Sequence, residues 1–393
     1  MKEVSVVKCE NYEYETVKSA VNRAIEEISG YCSLKSGTKV AIKANLVASA
    51  APDTATTTHP AVLAALSELL TERGCEVVIG DSPGGLYNSV FLERVYKVAG
   101  LSLCEEKGAK LNRDFSESKA VYDEAKACKT FTYTGYLDNA DLIINACKLK
   151  THGMMGLSCA TKNMFGAIPG TMKPEYHFRY PSYEAFADML IDIEEFFKPE
   201  FSICDAVVGM EGNGPTQGSP RKIGCILASK STHALDFVAA SIIGLSVNSV
   251  PTLGAAVSRG YINENGEDIK VIGNDKEFYI SDYKNIAVKR SLLFKGSSDS
   301  VIGNIFGSIA KAALTSRPTL KKKLCIGCGK CEQICPAKAI EIKNKKAIID
   351  KEKCIMCFCC QEFCPVGAMR VHRTFIAKIL EHGKSGKKSK NGK

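Results

Sequence analysis

The chain has 393 residues, 45% hydrophobic and 24% charged, with no Trp, a make-up that allows two or three globular domains. No apolar run reaches the roughly 20 residues of a membrane helix; the best candidate, residues 301–316, is too short and contains Lys311. The formal charge of +9 is uneven: residues 321–393 hold 18 Lys and Arg against 6 Asp and Glu, and the rest of the chain 34 against 37. The N-terminus lacks an apolar signal core, so the expectation is a cytoplasmic protein with no membrane contact. A basic C-terminal end reads first as a solvated tail, disordered at its end. It also suits docking to an acidic redox partner. No aromatic residues interleave the basic run, which argues against nucleic acid.

In chain order, strand and helix signals alternate. "TKVAIKANLV" (residues 38–47) reads as a buried strand. "HPAVLAALSELLTERG" reads as a helix that starts at Pro60, has Val62, Leu63, Leu66, Leu69 and Leu70 on one face, and ends at Gly74. "CEVVIGDSPGG" is a strand running into a Gly-rich turn, and "ADLIINACKLKTHG" a strand into a loop. "SYEAFADMLIDIEEFFKP" is an amphipathic helix stopped by Pro199. "FSICDAVVGMEGNGP" and "KIGCILASKS" add strands, and "THALDFVAASIIG" adds a helix. This alternation predicts α/β architecture, with a mainly parallel sheet flanked by helices.

In such a sheet, ligands bind beyond the carboxyl ends of the strands. Lys43, Asn45, Asp81, Ser82, Lys148, Lys150, Thr151, His152, Lys162, Asn163, Glu211 and Asn213 collect there. Lys150, His152 and Lys162 are the catalytic candidates, binding or protonating an anionic small-molecule acceptor. Lys43, Asn45, Asp81, Asn163, Glu211 and Asn213 are the substrate-binding candidates, Asp81 and Glu211 as metal or hydroxyl contacts. There is no G-x-x-x-x-G-K-[ST], which excludes a P-loop, and "GNGPTQG" does not open a helix in the manner of a dinucleotide-binding turn.

Residues 287–300 read as strand then loop, residues 301–314 as a helix, and "TSRPTLKKK" as the linker. Beyond it, Cys325-x2-Cys328-x2-Cys331-x3-Cys335-Pro336 repeats at an offset of 29 residues as Cys354-x2-Cys357-x2-Cys360-x3-Cys364-Pro365. Such a run wraps three thiolates round one cubane while the fourth, followed by Pro, is aimed at the cluster of the other half. The assignment is two 4Fe–4S clusters, one on Cys325, Cys328, Cys331 and Cys364, the other on Cys354, Cys357, Cys360 and Cys335. "AIEIKNKKAIID" between the runs reads as a hairpin. Cys359 is spare, expected to point away from the cubane as a buried, shielding thiol, or else a redox-active one. Zinc sites space their C-x-x-C pairs differently, and no C-x3-C-x2-C triplet occurs. The nine cysteines before residue 300 show no C-x-x-C spacing and read as small buried hydrophobes.

Residues 321–373 thus resemble the bacterial two-cluster ferredoxins, which implies single-electron transfer at low potential. The blocks "NACKLKTHGMMGLSCATKNMFGAIPG", "GDSPGG", "DAVVGMEGNGPTQGSPRKIG" and "THALD" resemble the domain of unknown function 362 family over residues 4–273. That family is often joined to such a ferredoxin module. The resemblance implies an α/β domain and no settled activity. The expected layout is a large domain at 1–300, helix and linker at 301–320, the cluster domain at 321–373 and the tail at 374–393. The expected function is an electron relay between a low-potential redox partner and a substrate or partner held by the large domain, making the chain an oxidoreductase or a donor to one. The alternatives are a non-enzymatic electron-carrying adaptor and a protein for cluster delivery or sensing.

Overall fold

The computed structural model describes residues 1–286 and 317–372; the strand and helix expected at 287–314 and the tail at 374–393 lie outside them. The chain divides into two units, residues 1–288 and 289–393.

The larger unit contains, in order, β1 (Lys2–Lys8), α1 (Tyr14–Glu27), β2 (Lys39–Lys43), α2 (Pro60–Thr71), β3 (Glu76–Gly80), α3 (Ser89–Ala99), α4 (Ser102–Glu106), β4 (Lys110–Leu111), β5 (Glu117–Val121), β6 (Thr130–Thr134), β7 (Leu142–His152), β8 (Gly156–Ser158), α5 (Ala160–Asn163), α6 (Lys173–Arg179), α7 (Tyr183–Phe197), β9 (Phe201–Glu211), β10 (Ser219–Ser229), α8 (Thr232–Ile242), α9 (Pro251–Ser258) and β11 (Ile269–Gly273). Nine strands form one sheet in the order β11-β1-β10-β9-β7-β2-β3-β4, with β8 paired to β7. Only β8 and β10 run against the rest, so the sheet is mixed and mainly parallel. β5 and β6 make a separate antiparallel pair.

The apolar stripe of α2, the buried faces of α1, α3 and α4, and inward residues of the sheet such as Ile42, Ile79, Ile144 and Ile203 form one buried cluster. α7, α8 and α9 pack together outside it, α8 against β9 and β10. Ser182 caps α7 by accepting from the Ala185 amide. That helix ends on Lys198 in the left-handed region, at φ 42°, one residue before the Pro199 expected to stop it. β1 and α1, which the sequence reading passed over, are an edge-ward strand and an amphipathic helix burying Val17, Ala20, Val21, Ala24 and Ile25.

The smaller unit has β12 (Arg317–Leu320), β13 (Ile340–Lys343), β14 (Lys346–Ile349) and β15 (Met369–His372), with single helical turns at Lys330–Gln333 and Cys359–Glu362. β13 and β14 form the expected hairpin, turning through Asn344 and Lys345, both at positive φ. The segment expected to be linker is partly strand: β12 pairs antiparallel with β15. Pro318 lacks an amide donor, which a two-stranded edge tolerates.

Candidate functional site

In the smaller unit, Cys325, Cys328, Cys331 and Cys364 line one hollow, and Leu320, Ile342, Ala347 and Met369 complete its wall. Cys335, Cys354, Cys357 and Cys360 line a second. Each hollow thus takes three cysteines from one run and the fourth from the other. Four thiols in an otherwise apolar wall fit an iron–sulfur cluster, whose irons need thiolate ligands and whose sulfides tolerate apolar contact. The Ala339 amide donates to the Cys335 sulfur and the Ala368 amide to the Cys364 sulfur, both at 3.2 Å. N–H groups aimed at ligand sulfurs stabilise the reduced, more negative state. Cys359 is buried and is among the residues that line the second hollow.

The loops that present these thiols are left-handed at matching places. Gly327, Gly329 and Lys338 have φ of 70°, 77° and 48°; their counterparts 29 residues later, Met356, Phe358 and Gly367, have 56°, 63° and 59°. Left-handed backbone costs a non-Gly residue about 1–2 kcal/mol, so the strain is carried mainly by Met356 and Phe358 in the second half. At Gly327 an added Cβ would also lie 2.7 Å from the Lys345 carbonyl. Gly327→Ala is expected to hasten iron loss to a chelator, and Met356→Gly to slow it. Equal rates in both variants and the parent would show that these turns do not limit cluster retention.

In the larger unit the parallel register sets Gly80, Lys43, Asn145 and Ser202 side by side across β3, β2, β7 and β9. Asp81, one residue past β3, therefore meets Lys43: Nζ and Oδ1 are 2.7 Å apart, with side-chain exposures of 0% and 3%. The ammonium also donates to the carbonyls of Ala44 and Asn163. Burial pulls the Lys43 pKa down, and the Asp81 carboxylate offsets only part of that. Asp81 accepts from the amides of Leu46 and Ser82 as well. Asn163 joins this group by donating to the Lys43 carbonyl and Asn145. Asn45 donates to Asn163 and accepts from Lys150, whose Nζ also reaches the Thr56 carbonyl at 2.7 Å. Gly166 lies over the ion pair, where a Cβ would collide with Asp81 Oδ1 and Lys43 Nζ.

The structure thus brings Lys43, Asn45, Asp81, Lys150 and Asn163 into one network, but as a buried and mutually bonded one. Lys148 belongs to a second buried pair, 2.8 Å from Asp205, with the Tyr12 hydroxyl donating to the same carboxylate. Lys150 and His152 lie on β7 rather than in a loop, because β7 continues into the β7–β8 hairpin. His152 Nδ1 accepts from the amides of Met154 and Met155, which ties the ring to that turn. Lys162 lies on α5, its ammonium 4.7 Å from the centre of the Phe165 ring. Glu211 ends β9 and pairs with Lys284 at 3.1 Å; Asn213 follows it in the next loop.

Of the nine cysteines of the larger unit, eight are buried as expected and Cys32 is exposed. Cys147, Cys159 and Cys204 converge, which spacing along the chain does not reveal. No helix among the described residues is long and apolar enough to cross a membrane.

The family described as a domain of unknown function (DUF362) matches residues 40–241, and a 4Fe-4S dicluster domain matches residues 324–368. A thylakoid-associated protein of Synechocystis sp. is 29% identical over 292 residues, covering 72% of this chain and 88% of that protein. Among solved structures, the lactate racemase apoprotein of Thermoanaerobacterium thermosaccharolyticum aligns with a TM-score of 0.38 at 12% identity, over 61% of this chain and 56% of that one. A Thermotoga maritima protein aligns with a TM-score of 0.36 at 13% identity, over 57% of each chain. The chain therefore spans less than two thirds of either solved structure, and at these scores neither bears on activity. Through residues 40–241 the chain belongs to the DUF362 family, here followed by a 4Fe-4S dicluster domain with the role of an iron–sulfur electron carrier.

Proposed function

We propose that this chain is a single-electron relay with two 4Fe–4S clusters, passing electrons between a low-potential redox protein and an acceptor held by the DUF362 unit. The observation that carries the reading is the crossed lining of the two hollows, Cys325, Cys328, Cys331 and Cys364 in one, Cys335, Cys354, Cys357 and Cys360 in the other. Crossed ligation keeps two clusters close and separately wired, as serial electron transfer requires. A 4Fe–4S cluster supplies one-electron oxidation and reduction when bound. The chain's own contribution is to fix the thiolates, to aim the Ala339 and Ala368 amides at two of them, and to surround them with largely apolar walls. Around the first hollow, Cys328 and Lys321, Lys322, Lys323 and Lys330 are exposed, which suits an acidic donor.

Protein purified without oxygen should hold about eight irons with matching sulfide, and reductive titration should give two magnetically coupled EPR signals of low potential. Clusters lost on reduction would point instead to cluster delivery. Lys162→Ala should then slow reoxidation of the reduced clusters by an anionic acceptor while leaving the iron content unchanged. Unchanged reoxidation would remove Lys162 from the acceptor site; Lys150, buried and bonded to Asn45 and Thr56, could act there only indirectly. The second reading, an electron-carrying adaptor without its own substrate, is favoured by one observation. Lys43, Asn45, Lys150 and Asn163 already bond to one another in the interior. A stable complex with a redox protein and no small-molecule turnover would establish it.

A further inference from the structure

Three cysteines of the DUF362 unit meet from separate elements. Cys147 on β7 and Cys204 on β9 face each other in the parallel register, and Cys159 is the residue that precedes α5. The Cys159 sulfur lies 3.7 Å from that of Cys147 and 3.5 Å from that of Cys204. All three sulfurs fall within 4.8 Å of one another, and among the described residues no other cysteine trio does so. Their exposures are 0%, 1% and 0%.

Ordinary packing of buried thiols does not require three sulfurs from separate elements at one point. A metal–sulfur bond of about 2.3 Å sets neighbouring sulfurs about 3.8 Å apart in tetrahedral geometry and about 4.0 Å apart in a trigonal plane. The two separations are those of thiols in hydrogen-bonding contact, and they also lie within a few tenths of an ångström of the tetrahedral value, so a metal could enter without moving the strands; they are far from the roughly 2.0 Å of a disulfide. The sulfur carriers are also held firmly. The amides of Ala160 and Thr161, immediately after Cys159, donate to the two oxygens of Asp236 on α8 at 2.7 and 3.0 Å. Cys147 and Cys204 are fixed by the central pairing of the sheet. No fourth Cys, His, Asp or Glu atom among the described residues comes equally close to all three sulfurs. An all-sulfur set selects a soft cation over magnesium or calcium.

We propose that Cys147, Cys159 and Cys204 form a buried site for one thiophilic d10 cation, Zn2+ or Cu+, distinct from the iron–sulfur hollows. Binding replaces three S–H bonds with three metal–sulfur bonds and releases three protons to solvent. No electron is transferred. The ion ties β7 and β9 to the start of α5, and so holds Asn163, three residues into α5, against Lys43 and Asn145. This assignment does not depend on the relay reading, and its test reads a different metal.

Full-length protein carrying its iron–sulfur clusters is incubated without oxygen with one equivalent of Zn2+ or, separately, of buffered Cu+, then desalted and analysed for all metals. The expected result is one retained zinc or copper per chain in the parent protein, with iron and sulfide unchanged. Cys159→Ser should retain at least tenfold less at the same iron content. X-ray absorption at the edge of the retained metal should show three sulfurs at about 2.3 Å, and this reading on the parent protein stands even if the variant fails to fold. The arm that loads names the cation. Retention of neither metal by the parent overturns the proposal. So does equal retention by Cys159→Ser, or four sulfurs accompanied by loss of iron, which would put the ion in a ferredoxin hollow. A disulfide among the three cysteines in the oxygen-free protein overturns it as well.

Discussion

Asp81→Asn is expected to lower the stability of the DUF362 unit by about 3–5 kcal/mol, the usual cost of leaving a buried charge without its partner. Lys43 has no exposed surface, so water cannot replace the carboxylate. Its other two acceptors are backbone carbonyls, which carry no net charge. The substitution also costs an acceptor. Asp81 receives from Lys43 and the Ser82 amide on one oxygen and from the Leu46 amide on the other. Asn offers one oxygen and must set its NH2 against a donor. The pH dependence gives a second signature. The Lys43 pKa is depressed in the folded protein, so the folded state sheds its proton before the unfolded chain does. Stability therefore rises with pH between the folded and unfolded values, and in Asp81→Asn, where the carboxylate no longer opposes the depression, the rise should begin at lower pH and be larger in total. With no Trp in the chain, unfolding is followed by far-UV circular dichroism in urea. The double variant Lys43→Met with Asp81→Leu should recover part of the loss, because an apolar pair needs no compensation. A loss under 1 kcal/mol for Asp81→Asn would mean that the network does not hold this edge of the sheet together.

What could be read from the sequence was what is local in it. The two cysteine runs carry their own spacing, and the helical stripe of α2 and the strand cores of β2, β3, β7 and β9 are each visible within a dozen residues. Of the polar residues singled out at the strand ends, Lys43, Asn45, Asp81, Lys150 and Asn163 meet in one buried network, whereas His152, Lys162 and Glu211 bond elsewhere; neither the grouping nor its burial was legible in the sequence. Whether Lys43 and Lys150 face a ligand or each other's neighbours depends on partners 38 to 120 residues away, such as Asp81, Asn45 and Asn163. Three strands of the sheet run on past the others, β7 to His152, β9 to Glu211 and β10 from Ser219 opposite Glu211, and α5 packs against β7 and β9 there. Periodicity does not report that overrun. The cysteine trio is invisible for the same reason: its members are 12 and 45 residues apart in sequence. In contrast, the left-handed turns at Met356 and Phe358 were available. Laying the second cysteine run over the first at the 29-residue offset puts them on Gly327 and Gly329, and a shared loop geometry demands the same backbone. The strand at Arg317–Leu320 was hidden by Pro318 and by the lysines that follow it.

The sharpest test of the iron–sulfur reading is a pair of double variants that separate crossed ligation from ligation run by run. Cys335→Ala with Cys354→Ala removes two thiols from the second hollow and none from the first. One intact 4Fe–4S signal should remain by EPR, without the splitting that a neighbouring cluster imposes. Cys335→Ala with Cys325→Ala takes one thiol from each hollow, and no intact 4Fe–4S signal should remain. If each run instead held its own cluster, the outcomes would exchange: the first pair would damage both clusters, and the second pair only one. The two arrangements therefore predict opposite results from the same number of lost ligands, so general destabilisation of the smaller unit cannot imitate the difference. Cys359→Ser serves as the reference. Cys359 borders the second hollow as a fifth thiol, and if it is spare, both signals and their coupling survive its replacement. Loss of the second signal in Cys359→Ser would make it a ligand in place of Cys360, and the i, i+3, i+6 spacing of the second run would no longer identify its ligands.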